Sequence, residues 1–150
     1  MPADFILIER DWNAVIQAAA RPAGRALRII CPFIKFGALA KLLQAARPST
    51  IQVITRFNLS DFYAGVSDIS ALRHLLQSGA EVKGVRNLHA KLYLFGSDQA
   101  IATSANLTEA ALGRNHEFGF RASNPDIMAK CQAYFNSMWI RADPLLIARS

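Results

Sequence analysis

Apolar residues in this chain recur with two periods, one helical and one of strand type, and the two alternate along most of its length. Phe5 to Glu9 is a short apolar run that reads as a first strand or a lead-in. Behind Asp11, a candidate cap, Trp12, Val15, Ile16 and Ala19 stand at helical spacing until Pro22 and Gly24 end the segment. Arg25 to Phe33 is apolar and β-branched at its centre and predicts a buried strand, with Pro32 past its end. A helix over Phe36 to Arg47 carries the stripe Leu39, Leu42, Leu43 and Ala46, and Pro48 stops it. Thr50 to Phe57 reads as a strand and Asn58 to Asp68 as a polar loop. Asp68 is placed to cap a helix over Ile69 to Gln77, with Leu72, Leu75 and Leu76 inward and Gly79 as its stop.

The second half is richer in strands. Glu81 to Arg86, Ala90 to Phe95 and Gln99 to Ser104 each read as one, and the turn Gly96-Ser97-Asp98 makes a hairpin of the last two. A short helix over Leu107 to Leu112 closes at Gly113, and His116 to Arg121 reads as a last strand. From Pro125 a long amphipathic helix runs to about Arg141, and the tail from Asp143 reads as loosely held. This order predicts an α/β fold, a mixed and largely central β-sheet with helices on both faces.

Composition changes this picture little. A chain of 150 residues with 52% hydrophobic positions suits a single catalytic domain over 1–150 with a sizeable core. The net charge of +6 suits a polyanionic partner. Cys31 and Cys131 lie in apolar or helical runs and read as buried thiols of a reducing compartment, outside any metal-ligand spacing. No cofactor or metal is expected. The N-terminus lacks a signal-peptide pattern and no apolar run approaches the roughly 20 residues of a membrane span. A cytoplasmic protein without stable membrane association is the expectation.

The chemistry concentrates between Asn87 and Glu117. Side chains two apart share a strand face, so His89 and Lys91 point the same way, with Tyr93 beyond them and Ala90, Leu92 and Leu94 in the core. The hairpin brings the end of the next strand, Ser104 and Asn106, beside that start. Such a group suits a phosphodiester. Lys91 supplies a point charge to the non-bridging oxygens, Asn106 two N–H donors and Ser104 a hydroxyl. Charge grows on those oxygens in the transition state, where fixed donors act most strongly. A ring nitrogen of His89 can attack phosphorus to form a phosphohistidine. Glu117 is the best placed carboxylate to hold its other nitrogen. Taken singly, each residue has a simpler reading: His-x-Lys is common, Ser104 and Asn106 suit a helix cap, and Glu117 suits an exposed strand position. The joint pattern is far more specific. Arg56, Arg86 and Arg114 are candidate strand-end or loop cations for flanking phosphates, with Arg56 and Arg114 preferred. Phe57, Phe62 and Tyr63 read as core or dimer contacts before base-stacking surfaces.

The stretch HAKLYLFGSDQAIATSAN resembles the signature of the phospholipase D superfamily: His-x-Lys, four residues, Asp, six residues, Gly-Ser-x-Asn. His89, Lys91, Ser104 and Asn106 fall in register, whereas Gly96 stands in place of the Asp and Thr103 where the family usually has Gly. Nuclease-like branches of the superfamily often lack that Asp. The continuation LTEAALGRNHEF, with Glu117 eleven residues past Asn106, is similar to small bacterial nucleases and restriction-enzyme catalytic domains of the superfamily, as are CPFI, ITRFN and NLHAK upstream. The resemblance implies a metal-independent, two-step phosphodiesterase, most simply an endonuclease, whose second histidine protonates the leaving oxygen. His74 and His116 do not repeat the motif, so the second copy of His89 is expected from another subunit, in a homodimer with the site at its two-fold axis. DNA is the favoured substrate. The alternatives are a phospholipid or head-group phosphodiesterase and, in another class, a nucleic-acid-binding or assembly module without turnover.

Overall fold

Two apolar surfaces must be covered at once, because the central strands carry apolar side chains on both faces, as in Ile29 and Ile30 or Val53 and Ile54. In the computed structural model, which describes residues 4–145, β1 (Phe5–Ile8), β2 (Leu27–Cys31), β3 (Ile51–Thr55), β4 (Glu81–Gly84), β5 (Leu92–Phe95), β6 (Gln99–Thr103), β7 (Gly119–Ala122) and β8 (Asp143–Pro144) form one sheet. Its eight strands run in the order β1-β7-β6-β5-β2-β3-β4-β8. The strands β2, β3 and β4 are parallel, and every other pairing is antiparallel. The helices are α1 (Trp12–Ala20), α2 (Phe36–Ala46), α3 (Leu59–Tyr63), α4 (Ile69–Gln77), α5 (Glu109–Gly113) and α6 (Pro125–Arg141).

Alternation along the strands sorts the core into two clusters. Ile29, Cys31, Val53, Tyr93, Phe95 and Ile101 face α1, α2, α4 and α5 on one side. Ile30, Ile54, Leu92, Leu94 and Ala100 face Met128 and Phe135 of α6 on the other. The mixed sheet with helices on both faces is therefore the expected architecture. None of the helices among the described residues is long and apolar enough to cross a membrane.

Several local expectations are corrected. Asn58 to Asp68 is not all loop, for Leu59–Tyr63 makes a helical turn. The strand expected from Ala90 starts at Leu92, and that expected from His116 starts at Gly119. Both deviations leave site residues in extended lead-ins outside the ladder. Leu76, expected inward, is exposed. Asp68 makes no capping bond to its own helix, because its Oδ2 accepts from Phe36 N at 2.8 Å and its Oδ1 lies 3.1 Å from Lys35 Nζ. It thus serves the start of α2, where unpaired amides and the helix dipole favour a carboxylate. Asp11 likewise caps nothing with its side chain and sits at φ 60°. In the tail, Asp143 and Pro144 pair with Gly84 and Lys83, while the remainder from 146 onward lies outside the described residues.

The tightest approach is between β6 and β7. A methyl group on Gly119 would lie 2.7 Å from Thr103 Cα and would collide with Ala102 O. Both obstacles are backbone, which cannot turn aside. Gly119→Ala is expected to cost about 1–3 kcal/mol, as overpacked sites do. The check is a lower urea midpoint at unchanged slope; an unchanged midpoint would contradict the packing described.

Candidate active site

The register of the strands gathers the chemistry at one end of the sheet. Leu92 stands opposite Ile30 on one side and Ala102 on the other, and Thr103 stands opposite Gly119. The end of β2, the lead-in to β5, the exit from β6 and the lead-in to β7 therefore meet. This is the end at which the parallel strands β2 and β3 finish, the usual place for a site in an open α/β sheet.

His89 is exposed and Lys91 partly so. Their side chains meet, with Lys91 Nζ 3.4 Å from His89 Nδ1, which bears out the shared face. Tyr93 does not continue an open face, as it is fully buried and its hydroxyl donates to Ala105 O at 3.2 Å. The backbone ties the two halves, for Thr103 N donates to Lys91 O at 3.3 Å. Thr103 Oγ1 accepts from Ala105 N at 3.0 Å, so the residue at the glycine position of the motif closes the turn that presents Asn106. Gly96 lies at φ 59° in the hairpin turn, a conformation open to glycine at no steric cost.

Asn106 is held by its oxygen. Oδ1 accepts from Phe33 N at 3.3 Å and lies 3.6 Å from Cys31 Sγ, which leaves the two amide hydrogens free to donate outward. The helix cap at this point belongs neither to Ser104 nor to Asn106, for Thr108 Oγ1 accepts from Ala111 N at 3.1 Å. Cys31 ties the cluster together from behind. Its sulfur accepts from Leu107 N at 3.3 Å and lies 3.7 Å from the Tyr93 hydroxyl, and its thiol is placed to donate to Phe33 O at 3.2 Å.

Ser104 and Glu117 form a pair of their own. Ser104 Oγ donates to Glu117 Oε1 at 2.7 Å and accepts from Phe118 N at 3.0 Å. Asn115 Nδ2 lies 3.5 Å from the other carboxylate oxygen, and Trp12 Nε1 donates to Glu117 O at 3.0 Å. Two expectations change here. The carboxylate is bonded to Ser104 and Asn115 and not to His89, and the serine hydroxyl is committed to the carboxylate and not free for a phosphate. The reason is the pairing of Thr103 with Gly119, which sets Ser104 directly beside the β7 lead-in. Trp12 and Asn115 gave no sign in the sequence of any part in this arrangement.

The two preferred arginines separate. Arg56 donates to both oxygens of buried Asp61 at 2.9 Å and lies 5.0 Å from the Phe33 ring, so it anchors the α3 segment. Phe57 and Phe62 pack edge to face beside it. Arg114 is exposed and belongs to none of the ion pairs among the described residues. His116 is exposed, and His74 packs against the Phe36 ring. Among the described residues no cluster of three or more His, Cys, Asp or Glu is arranged to hold a metal ion.

A His-x-Lys lead-in and a Ser-x-Asn exit on neighbouring antiparallel strands, under a sheet of this order, define a phospholipase D-like domain. Residues 9–139 match the family described as "Cardiolipin synthase, PLD-like domain", and the chain belongs to that family. Its fold is similar to that of Nuc from Salmonella typhimurium, a phospholipase D family member, with TM-score 0.77 and 16% identity over 95% of this chain and 99% of that one. NucT from Helicobacter pylori is similar with TM-score 0.75 and 14% identity over 94% and 98% of the two chains. TrmBL2, an archaeal chromatin protein, is similar over 96% of this chain but 55% of its own, with TM-score 0.65 and 13% identity. At such identities the likeness is one of fold. No curated protein is significantly similar in sequence.

Burial pushes the Cys31 thiol up, against the opposing pull of its hydrogen bonds with Leu107, Tyr93 and Phe33. The folded chain thus holds this proton beyond about pH 8.5, where an unfolded thiol ionises. The corresponding stability is complete below that pH and is lost as pH rises through the folded value. Denaturant titrations from about pH 7 to 9.5 should show stability falling on the alkaline side, with a flatter fall in Cys31→Ser. Half-buried Cys131, also raised by burial, and buried Tyr93, raised likewise, add to the slope that remains. An identical slope in both proteins would contradict this.

Proposed function

We propose that this chain is a metal-independent phosphodiesterase, an endonuclease acting as a homodimer through a covalent phosphohistidine on His89. The observation that carries the reading is the side-by-side presentation of His89 and Lys91 next to an Asn106 whose amide oxygen is already occupied. A ring nitrogen of His89 attacks phosphorus as the bond to the leaving oxygen breaks, and that oxygen takes a proton from the His89 of the second copy. The second histidine then takes a proton from water, whose oxygen attacks the phosphohistidine and releases His89. Lys91 and the Asn106 amide hydrogens hold the non-bridging oxygens, where charge grows. Glu117, fixed by Ser104, orients His89 within the joined site.

Two features support a second copy at the site. One chain brings a single His-x-Lys, whereas the chemistry needs an attacking group and a proton donor. An apolar strip also adjoins Glu117: Phe118 is 57% exposed, Leu7 62% and Phe5 41%. The Phe5 ring packs tilted against Phe120, and Leu7 pairs with Phe120 in the ladder, so the strip is continuous on one face of the sheet. Exposed apolar strips of this kind mark interfaces.

The net charge of +6 supports nucleic acid as substrate, and DNA is the one to test first. The fold likeness to TrmBL2, whose structure is described as showing a novel mode of DNA binding, favours one other reading, a binding module without turnover. The family description, which speaks of cardiolipin synthase, makes a phospholipid the substrate to test beside DNA.

Incubation of supercoiled DNA with the wild type in EDTA should give cleavage, and His89→Ala should lower the rate by at least about a thousandfold, as loss of a covalent nucleophile does. Binding without cutting by either protein would favour the module, and cleavage of phospholipid alone would favour the lipid enzyme. Sedimentation should show a dimer, and Phe118→Asp should yield monomer and lose cleavage together. An active monomer would sink the shared site.

A further inference from the structure

The geometry points to a subsite for the phosphate next to the scissile one, with Arg114 as its cation, an inference that rests on the phosphodiesterase reading. A cleft of about 330 Å³ opens beside the site, and Asn106 and Glu117 line both. Its volume is at the small end of ligand pockets, enough for one nucleotide-sized group. Phe33, whose ring carries Arg56 at 5.0 Å, lines it together with Lys35, Thr108 and Arg114.

Of the two cations lining the cleft, only one is available. Lys35 Nζ lies 3.1 Å from Asp68 Oδ1 and donates to Gly65 O at 2.6 Å. Arg114 is exposed and enters no ion pair among the described residues. Of the carboxylates lining the cleft, one is bonded and the other lies at a helix start. Glu117 holds Ser104 and Asn115, and Glu109 Oε1 lies over Gly37 in the first turn of α2, a position the helix dipole favours. What the cleft offers a ligand is therefore the Arg114 guanidinium, the outward Asn106 amide and the Phe33 ring. Guanidinium groups suit phosphate because their parallel N–H donors match two of its oxygens. A substrate whose scissile phosphate lies at Lys91 and Asn106 would set its neighbouring phosphate toward Arg114. A diester lacking that second phosphate would leave this cation without a partner.

The test is equilibrium binding of thymidine dinucleotides with and without a terminal phosphate, 5′ or 3′, to full-length protein in a His89→Ala background that keeps the substrate whole. The parent should prefer one phosphate-bearing dinucleotide about tenfold, the effect of one charge-assisted contact. Arg114→Ala should abolish the preference and Arg114→Lys should keep part of it. For a longer oligonucleotide, Arg114→Ala should lower the salt slope by about one. No preference in the parent, or the same preference in Arg114→Ala at equal thermal midpoint, would overturn the subsite. Failure of the phosphodiesterase reading would be visible separately, as equal DNA cleavage by wild type and His89→Ala.

Discussion

The whole site depends on the register of one hairpin, in which Leu92 of β5 faces Ala102 of β6. A slip of one residue would turn every side chain of a strand to the opposite face. It would move Leu92 and Leu94 away from α6, drive Tyr93 out of its cluster and separate the His89–Lys91 lead-in from the Ser104–Asn106 exit. A strand with even one buried face resists such a slip. Here both faces of the hairpin are buried against helices. The two-sided core is thus the device that keeps four strand ends aligned to within a hydrogen bond.

Behind that alignment sits a small buried polar group. Cys31, the Tyr93 hydroxyl, Leu107 N and the Asn106 amide satisfy one another where β2, β5 and β6 end. Unpaired polar atoms in such a place would each cost about 1–3 kcal/mol, so the cluster is stable only when complete. Completeness fixes the Asn106 amide with its oxygen inward. The same bonds that satisfy the interior therefore choose which end of the amide faces outward. Stability and site geometry are one arrangement here.

Much of this was legible in the sequence. The hairpin, the helical stripes, the buried reading of Cys31 and the shared side of His89 and Lys91 follow from period and turn chemistry, which are local. What was hidden is long-range. No local pattern says that β1 pairs with β7, that Trp12 holds the carbonyl of Glu117, or that Asp68 serves the helix starting at Phe36. Arg56 and Arg114 looked alike because both follow apolar runs, and only the position of Asp61 separates them. β5 and β7 both start later than the alternation suggests, since an extended lead-in and a paired strand carry the same side-chain alternation.

The bond between Ser104 and Glu117 changes how the half-site is understood. A serine that donates to a carboxylate and accepts from a backbone amide has no hydrogen left for a phosphate. On the proposed mechanism Lys91 and Asn106 are then the groups of the motif left to hold the substrate, and Ser104 acts at one remove through its bond to Glu117. The arrangement is asymmetric within one chain, with phosphate donors on one side and a fixed carboxylate on the other. On the proposed mechanism one chain supplies a clamp and a nucleophile, while its carboxylate is bonded to Ser104 and Asn115 and not to its own histidine. Joining two such halves is the simplest way to bring imidazole, carboxylate and clamp into one volume. The exposed Phe118 ring, adjacent in sequence to that carboxylate, would give the proposed joint a physical driving force in the burial of apolar area.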